Sequence, residues 1–367
     1  MPGLCKDFAR QSIQKRRFAT PWVVQAVSKR GNHRNTMIER DYPTFRPHPL
    51  FRGAHAQTVG GVVFPGSLPE YRASQLRVPL ADGDQIVLHD DCPSNWRGGQ
   101  RTALLIHGLG GCHQSPYMRR IAAKLSQAGV RSFRMDLRGC GAGLELARLP
   151  YHSGRSEDAA AALRFIAQLC PDSPTTLVGF SLGGNIVLKL LGECGGNPPG
   201  NLDSAMAVSP PIDLMASSDW LSRRLNRFYD RYFARLLWRR LHEWRQRVPQ
   251  AAMVEFTRRP RRLVELDDVY TAQVCGFGSA QNYYRQCSSA PIVPAIRLPT
   301  LILASHDDPL VPGHAYSQVA LPACVQLQMS AGGGHLGFIA ARSSDPDRRW
   351  MDWRVVDWVV AQGERPA

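Results

Sequence analysis

The sequence predicts an α/β fold with a mostly parallel sheet, helices on both faces and a helical cap insertion. Two observations support this prediction. Short apolar segments alternate with segments of helical periodicity between residues 102 and 208, and this pattern returns between 299 and 361. Residues 211–290 break the alternation, which indicates an insertion between two core strands. We therefore expect a tail (1–36), a first core part (37–210), the cap (211–290) and a second core part (291–367).

The first core part opens with a predicted hairpin. Its strands cover 76–80 and 85–90 around the turn Asp82-Gly83, and they are expected to form an antiparallel edge of the sheet. The elements that follow are a strand at 102–106, a helix at 116–128, a strand at 130–135, a helix at 157–170, a strand at 175–180, a helix at 182–192 and a strand at 204–208. This order favours parallel strands joined by right-handed crossovers.

The second core part contains strands at 299–305 and 325–329 and a closing helix at 349–361. At the other end of the core, residues 46–58 are rich in Pro and Gly and are expected to be extended and irregular. His55 within them is expected to pack on the surface, because nothing nearby completes a metal site.

The first 36 residues contain eight Lys/Arg and one acidic residue. We expect either a disordered basic tail or a start assigned too early, with translation beginning at Met37. The apolar stretch after Lys15-Arg16-Arg17 is short and is interrupted by Pro21 and Gln25, which disfavours a secretory signal. An organelle transit peptide has similarly weak support.

Composition restricts the compartment and the cofactors. The nine cysteines form no C-x-x-C pattern, so neither a zinc site nor a disulfide framework is indicated. Reduced thiols are expected, which suits a cytoplasmic protein. No run of 18 or more apolar residues occurs, so no transmembrane helix is predicted.

The formal net charge of +15 favours anionic partners, but much of it lies outside the predicted core. Residues 219–247 hold nine arginines and three acids, with apolar residues at helical spacing between Trp220 and Val248. The favoured interpretation is a solvated helix packed on the core. A helix lying on an anionic membrane surface is the alternative, because Arg mixed with Trp, Phe and Tyr suits one. Nucleic-acid binding is not expected, since no recognition module accompanies the charge.

The segment Gly179–Gly183 has the pattern G-x-S-x-G between a predicted strand and a predicted helix. A serine on such a strand-to-helix turn is exposed at the edge of the sheet and can act as a nucleophile. The flanking glycines allow the tight turn. Ser181 is therefore the candidate nucleophile, and a purely structural turn is the alternative.

A serine nucleophile needs a base and a group that orients the base. His335 and Asp308 each follow a later predicted strand, so all three groups should meet at the same edge of the sheet. Asp308 is favoured over Asp307 because a rigid Pro-containing turn follows it. Asp213, which follows an earlier strand, is a second rival.

Acyl transfer also needs donors for the oxyanion. We expect two backbone N–H groups to donate to the oxyanion. One belongs to Leu182, directly after the nucleophile, and the other to Leu109 in the glycine-rich loop 107–111. A phosphate-binding role for this loop is disfavoured because no G-K-[ST] follows, and no H-E-x-x-H zinc motif occurs. Neither a cofactor nor a metal is expected.

Several motifs carry a family resemblance, namely Gly53–Thr58, His107–Gly111, Arg138–Cys140, Tyr151–Gly154, Gly179–Gly184, Asp267–Thr271 with Gly276-Phe277 and Tyr283-Tyr284, Asp307–Pro309 and Gly333–Phe338. From about Arg46 to the C-terminus the chain resembles the YheT-like branch of the α/β-hydrolases, related to the ABHD-type acylglycerol and phospholipid hydrolases. The resemblance implies an α/β-hydrolase fold and a triad of Ser181, Asp308 and His335. The chain departs from the family after Cys140, where a Ser is usual and Gly141 stands instead.

The resemblance also implies action on short-chain esters or acylglycerols. We therefore expect a serine hydrolase that cleaves carboxylic esters, of carboxylesterase or acylglycerol lipase type, through an acyl-enzyme. The expected partner is a small-molecule ester or a lipid. The alternatives are a binding protein that has kept the fold without hydrolytic activity, and a lipase or phospholipase that acts at a membrane surface.

Overall fold

A computed structural model of the protein describes residues 42–70 and 72–363. The predicted tail 1–36 lies outside these residues. Within the described part of the chain, no helix is long and apolar enough to cross a membrane.

Eight strands form one sheet in the order β1-β2-β4-β3-β5-β6-β7-β8. The strands are β1 Ser74–Pro79, β2 Gln85–Asp91, β3 Thr102–Ile106, β4 Arg131–Asp136, β5 Thr175–Phe180, β6 Leu202–Val208, β7 Thr300–Ser305 and β8 Val325–Ser330. β2 pairs antiparallel with both β1 and β4, and all the other pairs are parallel. This topology confirms the predicted mostly parallel sheet with an antiparallel edge.

Helices cover both faces of the sheet. They are α1 Ala54–Val63, α2 Pro116–Gln127, α3 Ser156–Leu169, α4 Leu182–Cys194, α5 Leu214–Ser222, α6 Arg227–Arg247, α7 263–274, α8 Ala280–Cys287 and α9 Trp350–Gly363. Successive side chains of a strand point to opposite faces. Leu104 of β3 accordingly packs in the core cluster with α3 and α4, whereas Leu105 packs in the cluster with α2 and α9.

The prediction of an irregular lead-in at 46–58 was wrong for 54–58, because Ala54–Val63 is a helix. The glycines misled the prediction. A side chain at Gly60 would collide with the ring of Phe51, so this glycine allows close packing and does not mark a turn. Tertiary hydrogen bonds also stabilise the helix, since the amide of buried Gln57 donates to the carbonyl of Ile339 and accepts from its N–H.

The segment between β6 and β7 is helical, but the helix expected from Trp220 to Val248 is interrupted. It is divided into α5 and α6 by a break at 223–226. The side-chain amide of Asn226 donates to the carbonyl of Trp220 and closes the end of α5. In α7, the residues Asp267–Thr271 form a π-helical turn. Whether 211–290 is a separable cap remains a prediction.

Candidate active site

Ser181 lies on the tight turn between β5 and α4, with a positive φ of 52°. Two close backbone approaches produce this turn. A side chain at Gly179 would overlap the carbonyl of Gly183, and a side chain at Gly183 would overlap the carbonyl of Ile106. Glycine at both positions therefore lets the strand and helix meet, and it leaves the serine at the carboxyl edge of the sheet.

The structure brings the three predicted groups together. Nε2 of His335 lies 2.8 Å from Oγ of Ser181, and Nδ1 of His335 lies 2.8 Å from Oδ2 of Asp308. The other carboxylate oxygen of Asp308 accepts the N–H groups of Leu310 and Val311 at 2.7 and 3.0 Å. These bonds fix the carboxylate so that it faces the imidazole, and the imidazole is in turn held against the hydroxyl.

The two rival carboxylates have other partners. Oδ1 of Asp307 accepts the hydroxyl of Ser305 and the N–H of Gly334, and it thereby ties the histidine loop to the end of β7. Asp213 caps α5 by accepting the N–H of Ala216. The hydrogen bond to His335 thus distinguishes Asp308 from both rivals.

The loop that carries His335 is held by α1. The N–H of His335 donates to Oγ1 of Thr58 at 2.9 Å, and Gln57 bonds both backbone groups of Ile339. The loop has strained backbone at Leu336 and Phe338, whose φ values are 59° and 38°. Such a conformation persists only where surrounding contacts impose it, and α1 supplies several of them.

The glycine-rich loop 107–111 is held by two tyrosines. The N–H of Gly108 donates to the hydroxyl of Tyr117 at 3.0 Å, and the N–H of Gly110 donates to the hydroxyl of Tyr151 at 3.1 Å. Burial raises the pKa of Tyr117 to about 12 and also raises that of Tyr151, so both phenols stay neutral near pH 7. The intervening N–H of Leu109 has no acceptor among residues 42–70 and 72–363.

The second expected donor, Leu182, is the first residue of α4. An N–H at this position has no partner within its own helix. Both Leu109 and Leu182 line the cavity that contains Ser181 and His335. The arrangement therefore offers two backbone donors beside a serine that is hydrogen-bonded to an imidazole.

A buried polar cluster lies behind the loop 107–111. Oδ2 of Asp136 is 2.6 Å from Nδ1 of His113 and 2.9 Å from Nε2 of His89, while its other oxygen accepts the N–H of His113. Burial alone would raise the pKa of Asp136, but the hydrogen bonds from both histidines outweigh it and hold that pKa well below its usual range.

These three residues also have donor atoms close enough to hold a metal ion. The two imidazole rings, however, are stacked at 3.5 Å. A metal bound to both would lie far from the plane of at least one ring, which suits imidazole ligation poorly. We therefore interpret the cluster as a hydrogen-bonded support for the loop.

The departure from the family pattern at Gly141 lies beside this cluster. Gly141 has a φ of 53°, and a side chain there would overlap the carboxylate of Asp136. Arg138, three residues earlier, is buried, and its Nε and Nη2 donate hydrogen bonds to the two carboxylate oxygens of Asp158. In this chain the loop after β4 is therefore part of a buried charge network, and glycine is the residue that its backbone accommodates.

Two largely apolar cavities, each with about 680 Å³ of space that includes open solvent, lie beside Leu182, the residue after the serine. One contains Ser181 and His335 and is walled by side chains such as Leu214, Leu221 and Phe233. The other lies under α6 and is walled by Leu237, Leu241 and Trp244, among others. Both share Leu109, Leu182, Asp267 and Tyr283.

Asp267 is a buried acid at the junction of the two cavities. Its oxygens accept the hydroxyls of Thr271 at 2.9 Å and Tyr284 at 2.7 Å. Burial raises the pKa of Asp267 to about 6. The two hydrogen bonds favour the ionised form and lower the pKa, but their effect is smaller than that of burial. Asp267 begins the π-helical turn, a feature that is frequent at functional sites.

Reasoning from the sequence missed the supporting residues. Thr58 and Tyr151 fall within motifs that carry the resemblance, but nothing in their local pattern indicated which groups they would bond. Tyr117 had no signal beyond its place in a predicted helix. Thr58 and Tyr151 bond residues that are 277 and 41 positions away, and Tyr117 bonds a residue nine positions away in a different element, which local patterns do not report.

Comparison with known proteins identifies the family. A family described as alpha/beta hydrolase fold matches residues 103–341. YheT of Escherichia coli (strain K12), named as a candidate esterase, is 32% identical over 320 residues, which cover 86% of this chain and 93% of YheT. The medium-chain fatty acid ethyl ester synthase/esterase 2 of Saccharomyces cerevisiae is 30% identical over 64% of this chain and 57% of its own length.

Solved structures agree on the fold. The α/β hydrolase GrgF from Penicillium sp. sh18 superimposes with a TM-score of 0.51 at 17% identity, covering 78% of this chain and 98% of that chain. At this identity the likeness supports the fold alone. Together with the sequence relatives, it establishes that the chain belongs to the α/β-hydrolase fold family, in its YheT-like branch.

Proposed function

We propose that the protein is a serine hydrolase that cleaves carboxylic esters through an acyl-enzyme. One observation carries the proposal: His335 bridges the hydroxyl of Ser181 and the carboxylate of Asp308, with both contacts at 2.8 Å. This is the hydrogen-bond order that a serine nucleophile, a general base and an orienting acid require. The names of the relatives, which include esterases, support the same reaction class.

In the first half of the reaction, Oγ of Ser181 attacks the ester carbonyl carbon while Nε2 of His335 takes its proton. Negative charge develops on the carbonyl oxygen, where the N–H groups of Leu109 and Leu182 donate to it. The imidazolium, oriented by Asp308, then gives its proton to the leaving alkoxy oxygen. The carbon–oxygen bond breaks, the alcohol departs, and the acyl group remains on Ser181.

Water completes the cycle. His335 takes a proton from the water as its oxygen attacks the acyl carbon, and it then returns a proton to Oγ of Ser181 as the acid departs. Every step uses side chains and backbone donors of this chain, so we propose that neither a metal nor a cofactor is required.

The position of the two cavities supports a proposal for the substrate. Two apolar cavities meet at Leu109 and Leu182, which would place the ester carbonyl at the junction, with the acyl and alcohol parts on either side. This arrangement suits short-chain esters or acylglycerols. Turnover of glycerol and ethyl esters of rising chain length would separate a carboxylesterase from an acylglycerol lipase.

A fluorophosphonate probe tests the reaction class. The wild type should be labelled and Ser181→Ala should not, whereas Ser218→Ala, which changes another serine lining the same cavity, should be labelled like the wild type. Circular dichroism establishes that each variant is folded. A folded wild type that takes up no label and hydrolyses no ester would favour a binding protein without hydrolytic activity.

We also propose that the protein is located in the cytoplasm. The eight cysteines in the described part of the chain are free thiols, which supports a reducing compartment such as the cytoplasm. Cell fractionation with an antibody against the protein tests this placement.

A further inference from the structure

Helix α1 carries an apolar stripe on its solvent-exposed side. Val59, Val62 and Val63 follow His55 by four, seven and eight residues, which is the spacing of one helix face. They are 44%, 71% and 59% exposed, and Phe64 directly after the helix is 57% exposed. The buried residues of the same helix include Gln57 and Thr58, which hold the histidine loop.

The stripe continues onto α6. The ring of His55 stacks on Tyr229 and lies 5.6 Å from the ring of Phe228. Phe228 and Tyr232 are one helical turn apart, and they are 49% and 53% exposed. At the other end of α1, the ring of Phe64 contacts the ring of Phe51.

We name the exposed apolar residues of the segments 50–64 and 225–232 the apolar ridge; they are Leu50, Val59, Val62, Val63, Phe64, Leu225, Phe228 and Tyr232. These are eight of the ten large hydrophobic residues that are exposed in the described part of the chain. Single exposed apolar residues are ordinary on a protein surface, but a contiguous group marks an interaction site.

Arginines border the ridge. Arg224, Arg227, Arg231 and Arg235 are exposed, and they line one depression together with Phe228 and Tyr232. Within the described residues, none of these four arginines forms an ion pair. The acid of this helix segment, Asp230, is buried and takes its hydrogen bonds from Arg262 and the N–H of Leu263.

The positive charge extends beyond the helix. Arg258, Arg259 and Arg261 line an adjoining groove with Arg231 and Arg235, where Glu265 is the acidic residue. The stretch 42–69, which contains α1, has no acidic residue at all. The surface therefore combines exposed aliphatic and aromatic side chains with a cluster of guanidinium groups along its α6 side.

This combination favours a bilayer over other anionic partners. Phosphate backbones of nucleic acids would be matched by the arginines but would leave Val62 and Leu225 without a role. A membrane interface offers anionic headgroups for the arginines and an acyl region for the ridge at the same depth. Both helices also reach the site, because Thr58 of α1 bonds the backbone of His335 and Phe233 of α6 lines the cavity of Ser181.

We propose that the apolar ridge and its bordering arginines dock the protein on an anionic phospholipid bilayer. This rests on the proposed function only in that docking would bring lipid esters to Ser181. The ridge enters the interface while the arginines bind headgroup phosphates. Docking is peripheral and reversible, and it weakens as salt screens the arginines.

Co-sedimentation with vesicles tests the proposal on the full chain. We expect the wild type to bind vesicles that contain phosphatidylglycerol and to bind pure phosphatidylcholine vesicles weakly. The triple variant R227E/R231E/R235E should lose at least about a hundred-fold in binding, since each basic residue near an anionic surface contributes about five-fold. V62D/V63D changes exposed residues only, and it should lose binding through the apolar contribution.

A matched control separates docking from general charge attraction. R77E/R164E/R297E reverses three arginines that are exposed elsewhere and changes the net charge by the same amount. It should keep most of the binding. An equal loss in this control, or a wild type that binds no vesicles, would overturn the proposal. Binding to nucleic acid in preference to vesicles would also overturn it.

The docking and the proposed reaction can fail separately. Ser181→Ala should bind vesicles like the wild type, because the serine is not part of the ridge. Fluorophosphonate labelling of the two surface variants in vesicle-free solution should match that of the wild type. Labelling without vesicle binding therefore refutes the docking surface alone, whereas vesicle binding without labelling refutes the reaction alone.

Discussion

The hydroxyl of Thr58 accepts a hydrogen bond from the backbone N–H of His335 at 2.9 Å, across 277 residues of sequence. The same hydroxyl donates to the carbonyl of Ala54 within α1 at 2.8 Å. Thr58 therefore links α1 to the backbone of His335, the proposed base. An imidazole that must touch Ser181 and Asp308 at once tolerates little displacement, so this bond should matter for the rate.

Replacing Thr58 tests this relationship. Thr58→Val keeps the shape of the side chain but removes its hydroxyl, leaving the N–H of His335 without its acceptor. We expect kcat to fall by about ten-fold through misplacement of the imidazole, with little change in KM. Thr58→Ser keeps the hydroxyl and should retain most of the activity. Equal ester turnover by the valine variant and the wild type would show that the loop is held by other contacts.

The two tyrosines that hold the glycine-rich loop 107–111 lead to a second prediction. Tyr151→Phe removes the acceptor of the Gly110 N–H, and Tyr117→Phe removes that of the Gly108 N–H. The loop should then lose the conformation that directs Leu109 at the substrate, and loss of such a donor costs about 3 kcal/mol of transition-state stabilisation. We expect kcat to fall by up to about a hundred-fold in steady-state ester hydrolysis.

The exposed Tyr232 provides the control for this pair. Tyr232→Phe removes a hydroxyl from the surface and should leave the turnover of a soluble ester unchanged. If both loop variants behave like this control, then the loop does not depend on the tyrosine hydroxyls.

Neighbouring aspartates allow a third prediction. Asp308→Asn should lower kcat by about 10³- to 10⁴-fold, because an amide no longer stabilises the imidazolium or selects its tautomer. Asp307→Asn removes a group that holds the N–H of Gly334 and should cost far less. Kinetics of the two purified variants on one ester decide the assignment. A larger loss at Asp307 would reverse it.

Asp267 should make stability depend on pH in an identifiable window. Its pKa rises from 3.8 to about 6 on burial, so between these values the native state binds more protons than the unfolded state. The free energy of unfolding therefore falls as pH increases from about 4 to about 6, and the full effect amounts to about 3 kcal/mol above that range.

Asp267→Asn isolates this effect, because an amide resembles the protonated acid and does not ionise. Relative to the wild type, the variant should gain stability as pH rises through the window. Urea unfolding at pH 4 and pH 7 measures the difference. Asp268→Asn changes the exposed neighbour and should show no comparable gain. If the difference in unfolding free energy between the wild type and Asp267→Asn does not change with pH, the raised pKa of Asp267 is contradicted.

Much of the architecture could be predicted because it depends on local pattern. Buried parallel strands are short, continuous apolar runs. The observed bounds of Thr102–Ile106 and Thr175–Phe180 match the predicted ones, and those of the other parallel strands differ by one or two residues. Helix α1 was missed because its glycines serve close packing against Phe51, a contact that the local sequence does not display. The break between α5 and α6 was missed because the helical spacing of apolar residues continues through it.

The sequence by itself determined the order of strands and helices and singled out Ser181, Asp308 and His335, because each follows a strand and parallel strands end at a common edge. Only the tertiary structure decided how these groups are held: Thr58 beneath His335, two tyrosines beside Leu109, and a buried acid between two cavities. It also revealed the apolar ridge, which joins α1 to α6 across more than 160 residues. Such contacts depend on which surfaces packing brings together, and a local sequence pattern carries no information about that.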